Sequence, residues 1–296
     1  MNTDLLSYLS FKRPLIEEKL KEQLSPLKSK THPLLFKAAE HSLLNPGKRL
    51  RPLLVLATVK SLGECEEIAL GAACAIEILH TYSLIHDDLP CMDDDDLRRG
   101  KPTLHKLYPE GQAVLVGDLL LTLAFEILAF DPFLNPEKIL ELIKVLSKKS
   151  GGKGMILGQS LDLISEGKKL SWPELKEIHL RKTADLISAS LEFGAIIAGA
   201  SQSTRTILAE IGEDIGLSFQ LIDDVLDVEG DPLLLGKPLL SDVENQKNTS
   251  ASLLGLKEAR HLAEELLSAS LQKCEDIGLK DSLLAELLPK LIYRSF

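Results

Sequence analysis

The chain has 296 residues, with 34 Lys plus Arg against 44 Asp plus Glu and a formal charge of −10. That balance argues against the basic face a nucleic-acid binder carries, while the length allows a large buried core. Hydrophobic residues make up 45% and aromatics only 4%, and the prominence of leucine and alanine favours helix packing over sheets. Cys65, Cys74, Cys91 and Cys274 show no paired spacing, so they read as reduced intracellular thiols rather than zinc ligands or a disulfide framework. Lys12 and Arg13 follow a short mixed segment, which is not the signal-peptide order, and a cytoplasmic location is expected.

Helical periodicity runs from Leu5 to Leu24 and stops at Ser25-Pro26; a second helix from about Pro33 to Leu44 stops where Pro46 and Gly47 break it. Lys48, Arg49 and Arg51 then open a helix over Leu53 to Leu62. The positive end of the helix dipole already lies there, so a bound anion would explain the cluster; a solvated basic turn fits this segment alone equally well. From Glu66 to Asp88 the pattern is a long helix with a small-residue face, Gly71-Ala72-Ala73 and Ala75, and His80, Tyr82 and His86 in its last turns. His80 precedes Asp87 by seven residues, about two turns, and so shares nearly the same face.

Six aspartates follow in the stretch His80 to Lys101: Asp87, Asp88 and Asp93 to Asp96, next to Arg98 and Arg99. Like charges this close raise one another's pKa, so the economical reading gives Asp87, Asp88 and Asp93 hard cations, with Mg²⁺ the usual choice. The two arginines suit a phosphate-bearing ligand that such cations bridge. Asp87 and Asp93 would lie on widely separated faces of an unbroken helix, but Pro90 between them forces a bulge that returns Asp93. Asp94, Asp95 and Asp96 are assigned to solvation or to supporting the metal ligands.

Helices are expected over Glu110 to Phe130 and Pro136 to Lys149. The first is about membrane length, yet Asp118 and Glu126 would be costly in lipid, so it reads as a buried helix with no membrane span. Gly151 to Gly154 interrupts the pattern before Met155 to Ile164, where Gln159 and Asp162 share a face. Ser171-Trp172-Pro173-Glu174 is a capping box that starts a long helix to about Ala200, with Lys182 and Thr183 in apolar surroundings. That lysine either snorkels to the surface or aims at an anion. Ile207 to Val228 carries a second carboxylate group, Asp223, Asp224 and Asp227, in which Asp223 and Asp227 lie on one face. A loop with Lys237, Asp242 and Lys247 leads to helices Leu253 to Cys274 and Ser282 to Arg294. No strand pattern, repeat or linker is visible, and a single all-α domain spanning residues 1–296 is expected.

Together these motifs resemble the trans-polyprenyl diphosphate synthases, most of all the bacterial farnesyl and geranylgeranyl diphosphate synthases. The likeness rests on GKRLRP (Gly47 to Pro52), YSLIHDDLPCMDDDDLRRGKPT (Tyr82 to Thr103), GQSLDL (Gly158 to Leu163), RKTADLI (Arg181 to Ile187) and FQLIDDVLDVEGD (Phe219 to Asp231). It implies a helical bundle around a deep central cavity, a homodimer, and Mg²⁺, three ions per site with Mn²⁺ as a substitute. By that resemblance Asp87, Asp93 and Asp223 hold the metal, and Asp88, Asp224 and Asp227 complete or support its shell. Arg98, Lys182 and Lys237 are implied to contact an allylic diphosphate. Lys48, Arg51, His80 and Arg99 are implied to hold isopentenyl diphosphate, Lys247 is implied to be a further substrate-binding residue, and Thr183 and Gln220 are implied to line the space between the substrates. Tyr82, with small Ser83 beside it, is five residues and about 7.5 Å before Asp87; in the family a bulky residue there favours a fifteen-carbon product. Farnesyl diphosphate is therefore the expected product, with geranylgeranyl diphosphate the alternative.

The chain departs from the family pattern in two places. Leucines occupy the loop Gly236 to Asp242 where a glycine is common, and Ser250 follows Thr249 where an aromatic residue is usual. A catalytically silent subunit of a heteromeric synthase would have lost aspartates or the paired arginines, and a terpene cyclase has no use for Lys48, Arg51 and His80. A lipid carrier would need neither carboxylate group.

Overall fold

Apolar residues at helical spacing, punctuated by prolines and glycines, leave this chain little to build but helices. A computed structural model, described over residues 5–229 and 248–293, is helical nearly throughout. In chain order the helices are α1 (Leu5–Leu24), α2 (Pro33–Leu43), α3 (Leu50–Ser61), α4 (Leu70–Asp87), α5 (Leu104–Leu107), α6 (Glu110–Ala129), α7 (Pro136–Ser150) and α8 (Met155–Ser165). They continue with α9 (Trp172–His179), a π-helical turn (Leu180–Ala184), α10 (Asp185–Ile197) and α11 (Gln202–Glu229), then α12 (Ser250–Leu254), α13 (Leu256–Asp276) and α14 (Leu283–Tyr293). The chain divides into two compact units, Met1–Leu56 with Cys65–Ile143 and Ala57–Glu64 with Lys144–Phe296.

In the first unit α4 packs along α6, and the small-residue stretch Gly71-Ala72-Ala73 with Ala75 is buried as its sequence requires. Ile76, Leu79, Leu120 and Ala124 fill this core, each large aliphatic side chain contributing about 1.5–3 kcal/mol by leaving water. Arg49 is 1% exposed. Its guanidinium donates to Glu17 at 2.6 Å and to Glu77 at 2.8 Å, and to the carbonyls of Leu43 and Asn45 at 2.9 and 3.0 Å. Of the three cations that open α3, this one ties the end of α2 to α4.

The expectation of no strands needs one correction. Leu97–Arg98 (β1) pairs antiparallel with Lys101–Pro102 (β2) across Arg99-Gly100. Arg99 and Gly100 have φ of 53° and 74°, the two left-handed residues that a tight hairpin of this twist uses. Two-residue strands carry no alternation, so sequence periodicity could not register them. The chain remains all-α in class.

In the second unit α11 is the central helix, with α10 and α13 packed against it. Ser218 on α11 donates to the carbonyl of Ala263 on α13 at 2.8 Å. The expected capping box forms, with the Ser171 N–H and hydroxyl both donating to Glu174 at 2.8 and 2.6 Å. The helix it starts is not continuous to Ala200: the π turn interrupts it, and α10 ends at Ile197. The segment expected as one helix from Leu253 is likewise split, because Gly255 at φ 85° ends α12 and begins α13. Two helical stretches, Glu66–Asp87 and Glu110–Ala129, have the length and hydropathy of a membrane span; most of the first is packed inside the protein and under half of the second.

Candidate active site

In the first unit the site residues gather where α4 runs out. Asp87 is the last helical residue, and the bulge expected at Pro90 takes a definite form. The Asp93 N–H donates to the Asp87 carbonyl at 2.9 Å, and those of Met92 and Asp94 to Leu89 at 2.8 and 3.1 Å. The chain thus turns back on itself and returns Asp93 to the end of the helix. Both carboxylates are half-buried.

Asp88 is turned to a different task. It is 4% exposed and accepts twice from the Arg98 guanidinium, which also donates to Asp95 at 2.8 Å. Burial pushes the Asp88 carboxyl up to about 6, against the pull of Arg98. Burial opposes the Arg98 charge too, but Asp88 and then Asp95 hold its pKa above the ordinary arginine value. Asp96 pairs with Lys106 at 2.6 Å. Of the aspartates assigned to solvation or support, Asp95 therefore fixes Arg98 and Asp96 fastens the hairpin to α5.

A positive field lies over the other side of the same helix end. Burial, then Arg51, Arg99, Arg98 and Arg49, hold the His80 imidazole well below its usual range, so it is neutral at pH 7. Burial pulls Arg51 down to about 10, with Glu77 opposing and Arg99 adding to it. The Arg51 Nε is buried without a hydrogen-bond partner among the described residues, an arrangement that costs about 1–3 kcal/mol until an acceptor arrives. An anionic ligand is the acceptor this chemistry calls for. Lys48 is exposed, and Ser83 donates to the His80 carbonyl at 2.9 Å. A small cavity of about 30 Å³ between α2, α4 and the hairpin is lined by His41, Asn45, Thr81, Asp88, Arg98 and Arg99.

Tyr82 is 5% exposed and meets the ring of His86 edge-on, with centroids 5.6 Å apart and planes at 86°. Burial, then the Asp87 charge, pushes its phenol up to about 12, which keeps it neutral.

In the second unit the π turn holds Lys182 and Thr183. A π turn widens the helix by one residue and is frequent at functional sites; here it has a packing reason. A Cβ built on Gly158 of α8 would lie 2.2 Å from the Lys182 backbone nitrogen, so α8 and the turn approach as closely as a missing side chain permits. Lys182 Nζ donates to Asp162 of α8 at 2.7 Å. Thr183 donates to Gln220 Oε1 at 2.9 Å, and Gln220 Nε2 donates to Asp224 at 3.0 Å. The other Asp224 oxygen accepts from the Ser250 N–H at 2.6 Å and its hydroxyl at 2.8 Å, with His179 Nε2 at 3.4 Å. Burial would raise the Asp224 pKa, but His179, Gln220 and Ser250 together bring it below the ordinary carboxylate value. Lys182, Thr183, Gln220 and Asp224 line one cavity of about 120 Å³ with Asp162 and His179.

Asp223 and Asp227 stand one turn apart on α11 as expected, the first half-buried and the second buried. Lys237 and Lys247, like Asp242 and Arg294, lie outside the described residues. Residues to which the sequence attached no role are Asp162, His179 and Ser250. Asp162 lay within the GQSLDL motif and so could have been found; the other two become visible only through their approach to Asp224.

The donor set suits a divalent cation of the hard class. Among the described residues no group of three or more His, Cys, Asp or Glu side chains is spaced to enclose a metal ion. Mg²⁺ commonly binds through one or two carboxylates plus waters and substrate phosphates. Asp87 and Asp93 at the end of α4, and Asp223 and Asp227 one turn apart on α11, carry the oxygen donors that such an ion takes.

A model of the family described as Polyprenyl synthetase matches residues 32–287. A farnesyl diphosphate synthase of Geobacillus stearothermophilus is 48% identical over 228 residues, which cover 76% of this chain and 77% of that protein. The chloroplastic geranylgeranyl pyrophosphate synthase 7 of Arabidopsis thaliana is 42% identical over 90% of this chain and 76% of its own. Among solved structures, a geranyltransferase from Helicobacter pylori complexed with magnesium and isoprenyl diphosphate has a TM-score of 0.85 at 39% identity, covering 99% of this chain and 98% of that one.

Proposed function

The chain belongs to the polyprenyl synthetase family and is a short-chain prenyltransferase; from that premise we propose that it makes farnesyl diphosphate. It condenses isopentenyl diphosphate head-to-tail with dimethylallyl and then geranyl diphosphate, forming trans double bonds and releasing diphosphate. The observation that carries this reading is the return of Asp93 to Asp87 at the end of α4, together with an Arg51 Nε that is buried without a hydrogen-bond partner among the described residues.

Asp87, Asp93 and Asp223 are the proposed Mg²⁺ ligands, supported by Asp227, for three ions that Mn²⁺ could replace. When bound, the metal supplies neutralisation of the allylic diphosphate as it leaves. Arg98 and Lys182, with Lys237 beyond the described residues, add fixed positive charge where negative charge develops on the departing group. Asp88 and Asp162 hold those two cations in place, and Asp224 serves by fixing Gln220 and Ser250.

Lys48, Arg51, Arg99 and neutral His80 grip the diphosphate of isopentenyl diphosphate, and Lys247, outside the described residues, is a further proposed substrate-binding residue. The isopentenyl double bond attacks the carbocation left when the allylic carbon–oxygen bond breaks. The electron pair of that bond leaves with the diphosphate, which then takes the proton lost by the isopentenyl unit. Thr183 and Gln220 keep the two substrates in register, and apolar helix faces exclude water that would quench the cation. Residues 1–296 are proposed to act as one synthase domain.

Tyr82 is proposed as the floor that stops the growing chain at fifteen carbons; its burial supports this. The Arabidopsis likeness keeps geranylgeranyl diphosphate as the second reading. We place the enzyme in the cytoplasm, with α4 and α6 as core helices rather than spans. As a homodimer, it would use the apolar residues that α6 and its neighbours leave exposed, Val114, Leu115, Phe130 and Phe133.

The test is incubation of purified protein with Mg²⁺, isopentenyl diphosphate and either dimethylallyl or geranyl diphosphate, followed by chromatography. A fifteen-carbon diphosphate is expected, and Tyr82→Ala should shift it to twenty carbons or more. Cyclised hydrocarbon would mean a cyclase, and no turnover would mean a silent subunit or a carrier.

A further inference from the structure

The product-length reading leaves open what holds Tyr82 in place, and the first unit offers an answer in His86. The two residues are four apart on α4 and so lie one above the other on the same face. The His86 ring meets the Tyr82 ring edge to face at 5.6 Å and 86°. On its far side, His86 Nε2 lies 3.1 Å from the Val114 carbonyl of α6. A carbonyl only accepts, so Nε2 carries the proton and the tautomer is fixed. The ring occupies a notch cut for it: a Cβ on Gly117 would lie 2.0 Å from Nε2 and 2.4 Å from Cδ2.

A helical tyrosine has two accessible χ1 wells, and neighbours decide between them. Here one neighbour is a ring that is itself hydrogen-bonded to the adjacent helix and seated against a glycine. We infer that His86 is a specificity-positioning residue, which sets product length by locking the Tyr82 phenol through a relay from α6. This inference rests on the proposal that Tyr82 is the floor. It assigns His86 no contact with substrate or metal.

The experiment compares His86→Ala, Tyr82→Ala and the double variant under Mg²⁺ with isopentenyl and geranyl diphosphates, scoring the ratio of twenty- to fifteen-carbon product separately from total turnover. Residues that act through one another give non-additive effects. The expected result is a several-fold rise in that ratio for His86→Ala, a larger rise for Tyr82→Ala, and a double variant indistinguishable from Tyr82→Ala alone. His86→Gln keeps an amide donor for Val114 but no ring; it should lengthen the product like His86→Ala, and it carries the test if the alanine variant does not fold. An unchanged ratio in the His86 variants, with Tyr82→Ala lengthening the product, overturns the inference and leaves the floor intact. An equal further rise on adding His86→Ala to Tyr82→Ala overturns it too, since His86 would then act independently. If Tyr82→Ala itself changes nothing, the floor assignment falls and this inference falls with it.

Discussion

Lys149 shows how a single buried charge in the second unit is made tolerable. Its ammonium lies 2.8 Å from Asp185 and 2.7 Å from Glu213, and Asp185 also accepts from Arg181 at 3.2 Å. Burial opposes the Lys149 charge, but the two carboxylates hold its pKa above the ordinary lysine value. A cation whose folded pKa exceeds its unfolded value stabilises fully below the unfolded value, near 10.5. That contribution is lost as pH rises through the folded value. Lys149→Met leaves Asp185, 1% exposed, with Arg181 alone. We expect a loss of about 3 kcal/mol in chemical denaturation at pH 7. Between pH 10 and 12 the variant should lose less stability than the parent, because this titration is gone. Equal losses across that range would show that Lys149 is not the titrating group.

At the scale of elements, the π turn and α8 are fitted to one another. Gly158 is the point of contact, since its missing Cβ admits the Lys182 backbone. Alanine has the higher helix propensity by about 1 kcal/mol, and on propensity alone Gly158→Ala would stabilise α8. The close contact is with backbone, which cannot swing aside, so the turn must shift and carry Lys182 and Thr183 with it. The expected outcome is a fall of about ten-fold or more in kcat/KM for the allylic substrate, an Ångström-scale misplacement being enough for that. Far-UV circular dichroism should be unchanged. Full activity in the alanine variant would mean that the turn does not depend on this contact. The existence and type of the helices were legible because their apolar spacing is strong. The π turn was not, because RKTADLI has the same periodicity as the helices on either side of it. The β1–β2 hairpin escaped for the opposite reason, being too short to have a period.

At the scale of the whole molecule, the proposed homodimer has candidate contact residues in the exposed apolar side chains of α6 and the segment after it. Leu115 is 51% exposed, Phe130 80% and Phe133 67%. Sedimentation velocity should find a dimer, and Leu115→Lys should shift it toward monomer by placing a charge on a residue that the proposed contact would dry. A monomeric parent protein would remove this surface from the argument. The two carboxylate motifs, the basic run before α3 and the small-residue face of α4 could be read in sequence, as could the all-α class. Each is a local pattern whose meaning lies in residue type and spacing along one helix. Tertiary structure divided the aspartates among different tasks. Asp88 and Asp224 have the same side chain as Asp87 and Asp223 and stand next to them in the chain, yet they are buried and engaged by Arg98 in one case and by Gln220 and Ser250 in the other. It also set Lys182 on Asp162 and the His86 ring between Tyr82 and α6. A side chain's chemistry is written in the sequence, but which donors reach it depends on segments that meet only when the chain has folded.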